Sequence, residues 1–566
     1  MSQTPSSAPA PSADPTLVAR LRADLEVSGY TVEGVEAALG PVAASALHRE
    51  QALPALRASE RDAADGAAQP AVLTLTRLFV LGRAVPAAAL DAALPTLGSA
   101  GAAELGLVAL SGTQATAAAD RPGAAPTVRP LVDLRPYAVH DARGPVDWWL
   151  ASDLGELATS GRLAGDHVLG AGGASITLAQ VTVRSPRTRV LDLGTGCGIQ
   201  ALHASRHAQT VVATDISVRA LGFAAFNAAL DGVELDLRLG SMLEPVAGEE
   251  FDLVVSNPPF VITPRRAAAV AVAGDGSGGT DGADSASSGS VGADGSLPTG
   301  AIPTYEYRDG GRSGDDLVRD LVTSVGTVLA PGGVAQLLGN WEHRAGEPWT
   351  ERVGRWLDES GLDGWVIQRE VLDPAEYAET WIRDGGTTPE REPEAWAAAY
   401  GAWLDDFASR DVEAIGFGIL LLRRPLEGER VTLRRLEEHT GSVRQPLGAH
   451  LEASLAAHLW LETLDDDALG AQRLVMAPDV TEERFYTPGA GDPSIVILRQ
   501  GDGLGRGVHA STSLSALVGA CDGELTVAQI VTAIASIFDV SADDLSAELL
   551  PAVRGLVRDG FLAVEQ

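Results

Sequence analysis

The chain has 566 residues, 45% hydrophobic and 21% charged, which is enough for several cores and excludes a fibrous or wholly disordered polypeptide. Its 76 acidic residues outweigh 42 basic ones, all arginine, leaving a net charge of −34 that opposes a sequence-independent grip on a phosphate backbone. Cys197 and Cys521 stand far apart, so neither a disulfide framework nor a zinc-ligand cluster is expected, and no metal. The amino-terminal stretch MSQTPSSAPAPSADP lacks the basic and apolar regions of a secretory signal. No apolar run approaches the ~18 residues of a membrane span. These features predict a soluble, cytoplasmic protein with no membrane or DNA partner.

Residues 1–15 read as a disordered tail, too poor in large apolar groups to pack. From Thr16 a helical period begins with Leu17, Leu21 and Leu25, and further helical segments start at Thr31 and Val42. Pro86 suits a first helical turn. Short helices followed by an extended piece predict a helical, winged-helix-like module over residues 16–112. Residues 113–127 have the composition of a linker. Trp148 and Trp149 are expected to be packing anchors, and the glycine-rich Gly165–Gln180 either closes over a ligand or simply turns.

Strand and helix alternate from Arg189 onward. The predicted strands are Arg189–Leu193, Val211–Asp215, Leu235–Leu239, Phe251–Ser256, Gly333–Leu338, Trp365–Leu372 and Ile415–Leu422. Apolar runs spaced by helices predict a mostly parallel sheet covered on both faces, with Ile415–Leu422 as an antiparallel edge strand. The domain so defined spans 128–425. An Ala/Gly/Ser/Asp tract at about 267–303 is predicted to be disordered, and Asp373–Glu413, rich in Trp, Tyr and acids, to be a helical insertion. Residues 426–566 read as a carboxy-terminal α+β, winged-helix-like module. There Thr526 with Gln529 predicts a capping box and Ser541 with Asp544 a second helix start. Eight acids against Arg554 and Arg558 from His509 onward favour a protein contact for this module over a nucleic-acid one.

Two motifs carry chemistry. In LDLGTGCG (Leu191–Gly198), a strand end before a helix, Gly194, Gly196 and Gly198 let the backbone turn tightly and approach a ligand. Asp215, at the end of the next strand, is placed to accept both hydroxyls of a ribose. The spacing lacks the last glycine of the dinucleotide fingerprint and fits a cofactor without a pyrophosphate. The second motif, SNPPF (Ser256–Phe260), closes the fourth strand. Together LDLGTGCG, Asp215 and SNPPF resemble the class I S-adenosylmethionine-dependent methyltransferases that act on planar nitrogens. The likeness runs from about Asp147 to Pro425, and is strongest to release-factor glutamine methyltransferases and small-domain ribosomal RNA methyltransferases.

The resemblance implies a Rossmann-like, seven-stranded α/β fold with S-adenosylmethionine as methyl donor. Asp192, Gly194, Thr195, Gly196, Cys197 and Gly198 would wrap its methionine and ribose, Asp215 would hold the ribose, and Asn257 would border the site. Ser241 and Met242 stand where the family meets the adenine; Ser241 replaces the usual acid, and Met242 would pack on the purine. Asn257 Oδ1 and the Pro258 carbonyl would each accept one N–H of the acceptor nitrogen, Pro259 would stiffen the loop, and Phe260 would stack on the planar group. Gly310, Gly311, Gly314 and Asp315 loosely fit a later substrate-side turn; Asp315 is read either as a substrate contact or as a helix-dipole acid. His203 and His207 have i, i+4 spacing but no third ligand in view, and are expected at a surface or edge. The implied function is N-methylation of a glutamine side chain in a translation factor or ribosomal protein. The alternatives are methylation of an exocyclic base amine in rRNA and, from another class, a cofactor-binding regulator without turnover.

Overall fold

The computed structural model describes residues 8–64, 70–111, 126–141, 144–155, 158, 164–264 and 308–564. Much of the predicted linker, and the tract at 267–303, lie outside these residues. The chain forms two compact units, Met1–Leu178 with Pro186–Glu429 and Ala179–Ser185 with Arg430–Gln566.

The first unit is built on a sheet whose strands are β1 (Arg187–Leu193), β2 (Ala208–Asp215), β3 (Asp236–Leu239), β4 (Phe251–Ser256), β5 (Leu329–Arg344), β6 (Asp363–Leu372) and β7 (Val412–Arg423). They lie in the order β6-β7-β5-β4-β1-β2-β3. Neighbours from β5 to β3 are parallel. The chain steps outward one way from β1 and the other way from β4, so a crevice opens at the carboxyl ends of these two strands, where open α/β sheets hold ligands. Leu191, Leu253 and Val254 are fully buried, as a sheet covered on both faces requires.

The antiparallel direction expected of the last strand is present, but not its edge position. β7 is inserted between β5 and β6 and runs antiparallel to both. Its GFG sequence explains how it fits. A Cβ on Gly418 would lie 2.1 Å from the Ile367 carbonyl oxygen, and one on Gly416 would lie 2.4 Å from Trp341 Nε1. Only bare backbone leaves room for the fully buried Trp341, whose Nε1 donates to Gln368 Oε1 at 2.7 Å.

Helices α1 (Ile199–Ser205) and α2 (Val218–Asp231) follow β1 and β2. They share one apolar core with the amino-terminal segment, in which Leu21, Leu25, Tyr30, Phe79 and Leu90 pack with Leu202, Phe223, Phe226 and Leu230. Arg22 reaches across to the end of α2, donating from Nε to the Leu230 carbonyl (2.5 Å) and from Nη2 to that of Ala229 (2.7 Å). Both carbonyls lie in the last turn of α2, where no i+4 amide follows within the helix; Ala229 also accepts from Gly232 N at 3.4 Å. Trp148 behaves as the expected anchor, stacked on Tyr137 with ring centroids 6.2 Å apart, while Trp149 Nε1 donates to the Tyr30 carbonyl at 2.6 Å. The stretch read as a tail is placed from Ala8 onward. Pro11 is buried, Ser12 N–H donates to the Leu105 carbonyl, and the Ala8 carbonyl accepts from Arg219 Nε at 2.8 Å. Backbone pairing and small side chains hold it without large apolar groups.

Beyond β4 come α3 (Asp316–Ser324), α4 (Trp349–Ser360) and, within the predicted helical insertion, α5 (Pro374–Asp384) and α6 (Pro393–Ala408). Asp373 caps α5, its carboxylate accepting from Ala375 N and Glu376 N.

The second unit packs helices Thr512–Gly519, Val527–Phe538 and Ala542–Arg558 around Leu517, Ile530, Leu549, Val553 and Phe561. Strands Asp522–Thr526, Arg473–Met476 and Leu562–Val564 form one sheet. A second joins Val480–Phe485, Ile495–Gln500 and Gly507–His509. The capping box is formed in both directions, Gln529 N to Thr526 Oγ1 and Thr526 N to Gln529 Oε1.

Gly418→Ala should force β6 and β7 apart and lower the unfolding free energy by about 3 kcal/mol, read as the shift in a denaturant midpoint. Gly354→Ala in α4, where an added Cβ meets nothing, should instead be neutral or stabilise by about 1 kcal/mol.

Candidate active site

At the end of β1 the chain turns through Gly194 (φ 74°), Gly196 (φ 56°) and Gly198 (φ 91°) into α1. The three glycines serve different ends. A Cβ on Gly194 or Gly196 would meet no atom within 4 Å, so both border open space. On Gly198 it would come 3.2 Å from Ala224, so this glycine lets α1 approach α2. The loop is fixed from several sides. Gly194 N and Thr195 N both donate to the Thr214 carbonyl at 2.9 Å. Asp192 Oδ2 accepts from Thr195 Oγ1 (2.6 Å) and Ala201 N (2.9 Å).

Asp192, Thr195 and Cys197 are 1%, 4% and 2% exposed. Their side chains therefore shape the loop and leave its backbone to border the open space. Burial pushes the Asp192 carboxyl up to about 7 and the Cys197 thiol up to about 11.

Asp215, half-buried at the end of β2, already accepts from Gly196 N (2.9 Å) and Ser217 N (2.8 Å). Burial raises its carboxyl above the usual range, and its backbone hydrogen bonds oppose the shift. Two carboxylate oxygens have acceptor capacity beyond those two bonds, so a ribose diol still fits. Beside it Ile216 is 65% exposed, a large apolar side chain left uncovered at the rim. Sequence reasoning passed over it, although an apolar residue directly after the acid was the available signal. Met242 is half-buried and held at φ 48°, a conformation uncommon for a non-glycine residue, and half-buried Ser241 precedes it.

The second motif lies beside the first. In the β1–β4 pairing Leu193 stands opposite Ser256, so the glycine loop and Asn257 leave the sheet one strand spacing apart, about 5 Å. Ser256 Oγ, fully buried, donates to the Leu193 carbonyl at 2.7 Å and ties the two strand ends together. Asn257 is half-buried, and its Oδ1 is a buried acceptor with no hydrogen-bond partner among the described residues. Such an atom is costly unless a ligand satisfies it. Pro258 is buried, Pro259 half-buried, and the half-buried Phe260 ring leans on Phe417 of β7 with centroids 5.4 Å apart.

Asn227 had not been singled out from sequence. Fully buried on α2, it accepts from Ala151 N and donates to the carbonyls of Ala151 and Cys197, stapling the glycine loop to strand Gly144–Ser152. A lone Asn within a helix offers no signal by pattern. Gln200 likewise reaches the Ser175 carbonyl in the glycine-rich segment at 2.6 Å.

Other sequence expectations meet specific surroundings. Asp315 stands at the N-cap of α3, as the helix-start reading has it, but its buried carboxylate makes no cap hydrogen bond and instead accepts from Glu342 N and pairs with Arg352. Gly310 is required by packing, since a Cβ there would lie 2.7 Å from the Pro259 carbonyl oxygen. His203 and His207 are both buried, and His203 Nε2 lies 2.9 Å from the Tyr137 hydroxyl with its ring edge-on to Trp148. That helix face looks into the core shared with the amino-terminal segment, so no surface is available to it.

Between pH 3.8 and about 7 the unfolded chain has lost the Asp192 proton while the folded chain keeps it, so stability falls as pH rises through this window. Asp192→Asn can still accept from Thr195 and Ala201. Its stability should rise relative to wild type across that window, by up to roughly 4 kcal/mol, and level off above it. A pH-independent difference in urea unfolding would refute this origin. Separately, Gly196→Ala should fold but weaken donor binding at least tenfold in calorimetry, because its methyl enters the open space.

Residues 172–273 match the family described as methyltransferase small domain, and residues 27–121 and 452–564 match two domains of unknown function. The chain is 46% identical over 88 residues to the release factor glutamine methyltransferase of Deinococcus radiodurans, covering 15% of this chain and 31% of that protein. It is 30% identical over 220 residues to the ribosomal protein uL3 glutamine methyltransferase of Bradyrhizobium diazoefficiens, covering 38% and 59%. The chain thus spans under two thirds of either relative. Among solved structures, a ribosomal protein L11 methylase from Lactobacillus delbrueckii subsp. bulgaricus aligns with 46% of this chain and 77% of its own, at 18% identity and a TM-score of 0.22. The glycine loop, Asp215 and SNPPF all fall inside residues 172–273, the segment that matches the methyltransferase small domain.

Proposed function

We propose that the chain methylates the side-chain amide nitrogen of a glutamine in a translation-associated protein. The observation that carries this reading is the buried, unpaired Asn257 Oδ1 at the end of β4, one strand spacing from the glycine loop. An acceptor so placed suits an N–H donor, and a primary amide offers two. The two relatives whose names specify glutamine methylation support the choice of acceptor, and the net charge of −34 favours a protein over a bare nucleic acid.

S-adenosylmethionine, when bound, supplies an electrophilic methyl. The backbone of Gly194–Gly198 would line its methionine and ribose, Asp215 would accept from the ribose hydroxyls, and Ile216, Ser241 and Met242 would border the adenine. A primary amide is a poor nucleophile because its lone pair is delocalised into the carbonyl. Asn257 Oδ1 and the Pro258 carbonyl would each accept one of its N–H bonds, turning the nitrogen lone pair toward the donor. Phe260, supported from behind by Phe417, would lie against the flat group and limit its rotation. Forming the carbon–nitrogen bond would break the methyl–sulfur bond, leaving a neutral thioether, and one of the two amide protons would pass to solvent. A second reading, an exocyclic amine of an rRNA base, presents the same two N–H donors, and Phe at the last motif position favours it.

Tritiated donor should be incubated with release factors, ribosomal subunits and stripped RNA from a strain lacking the protein. Label in protein that survives nuclease supports the glutamine reading; nuclease-sensitive label transfers the assignment to RNA. Asn257→Ala should bind donor within a few fold of wild type but transfer methyl slower by a factor on the order of 100. Normal transfer by this variant would rule out the role given to Asn257.

A further inference from the structure

The strand end carrying SNPPF is held by an element that the sheet itself does not require. Past Phe260 the chain runs alongside residues 308–309. Phe260 forms a β-bridge with Asp309, Val261 N donates to the Arg308 carbonyl at 3.0 Å, and Thr263 Oγ1 bonds Asp309. Both of these short pieces are gripped by α5. Ile262 N donates to the Tyr377 hydroxyl at 3.1 Å, and Arg308 Nη1 donates to the Trp381 carbonyl (2.7 Å) and to Asp384 (2.8 Å). Tyr377 is in turn set from the sheet, because Asn340 Nδ2 on β5 donates to the same hydroxyl at 2.6 Å. Tyr377 and Asn340 are 2% and 1% exposed.

An apolar cluster backs this contact, with Val261, Ile262, Tyr377, Ile382, Trp403 and Phe407 packed together. The insertion between β6 and β7 therefore meets the protein core at the residues that follow Phe260. Those residues have no ladder partner in the sheet, since the β4–β5 pairing ends at Ser256 opposite Leu337. Without α5, the chain after Asn257 would be held, among the described residues, only by its pairing with residues 308–309 and by Phe260 against Phe417 of β7.

We infer that α5 is the positioning element of the acceptor loop, with Tyr377, oriented by Asn340, holding the backbone that aims Asn257 and Phe260. This rests on the reading of Asn257 and Phe260 as the groups that meet the acceptor. Tyr377 touches neither donor nor acceptor and acts through Ile262. A neutral hydroxyl suits the task, because it can accept two N–H bonds in a dry cluster without burying a charge. Desolvation raises the Tyr377 phenol above its ordinary value, consistent with that neutral state.

The test uses the full chain and Tyr377→Phe, which keeps the ring in its cluster and removes only the oxygen. Hydrogen exchange should speed at least tenfold in peptides covering 257–263, while those covering 190–198 stay as in wild type. Donor affinity should be unchanged. With release factors and ribosomal subunits as acceptors, kcat should fall about tenfold with the KM for S-adenosylmethionine unmoved. Arg308→Lys, which keeps a donor near Asp384, should show a smaller effect than Arg308→Met in both measurements. Unchanged exchange at 257–263, or equal loosening of 190–198, would overturn the proposal, as would an unchanged kcat. If wild type labels neither acceptor, the proposed function falls, while the exchange result still decides the role of Tyr377.

Discussion

One contact joins the two motifs. The Ser256 hydroxyl, buried between β4 and β1, donates to the carbonyl of Leu193, the last residue before the glycine loop. Parallel pairing has already put these residues opposite one another, and the hydroxyl removes the freedom of the strand ends to splay. Methyl transfer asks that a nitrogen and a carbon held by different loops meet within van der Waals range, and displacements of about 1 Å are costly. Loops emerging from adjacent, cross-linked strands would meet that demand with rigid backbone, and under the proposed function Asn257 would be the side chain left to meet the acceptor.

Around that junction the supports come from distant parts of the chain. Asn227 ties the glycine loop to strand Gly144–Ser152, Arg22 closes the end of the helix on which Asn227 sits, and Asp192 holds the loop from below. The amino-terminal segment therefore shares the core behind the glycine loop, and the α5–α6 insertion packs against the residues after SNPPF. The two halves of the site are thus stabilised separately, which allows one to be altered without collapse of the other.

How much of this was legible in sequence follows from the range of the interactions. The strands from Arg187 to Ser256 and the glycine turn were readable because they depend on local apolar runs and local φ requirements. Phe251–Ser256 matches its observed limits, and Asp215 ends β2 as expected. The place of β7 was not readable. Its apolar run signals a strand, but insertion between β5 and β6 depends on Gly416 and Gly418 making room for Trp341, 75 or more residues away. The same holds for His203, whose i, i+4 partner drew attention while the decisive neighbours, Tyr137 and Trp148, lie over 50 residues upstream. Asn257 could be named from its motif, but not the unpaired state of its Oδ1, which is a property of the surroundings.

The bridge between Phe260 and Asp309 has a consequence for how this chain tolerates change. It brings together two points nearly fifty residues apart in sequence, beside the site and anchored to the same helix. A substitution at either anchor therefore disturbs the backbone on both sides of the bridge, so Arg308 and Asp309 belong to the support of the SNPPF loop as much as Val261 and Thr263 do.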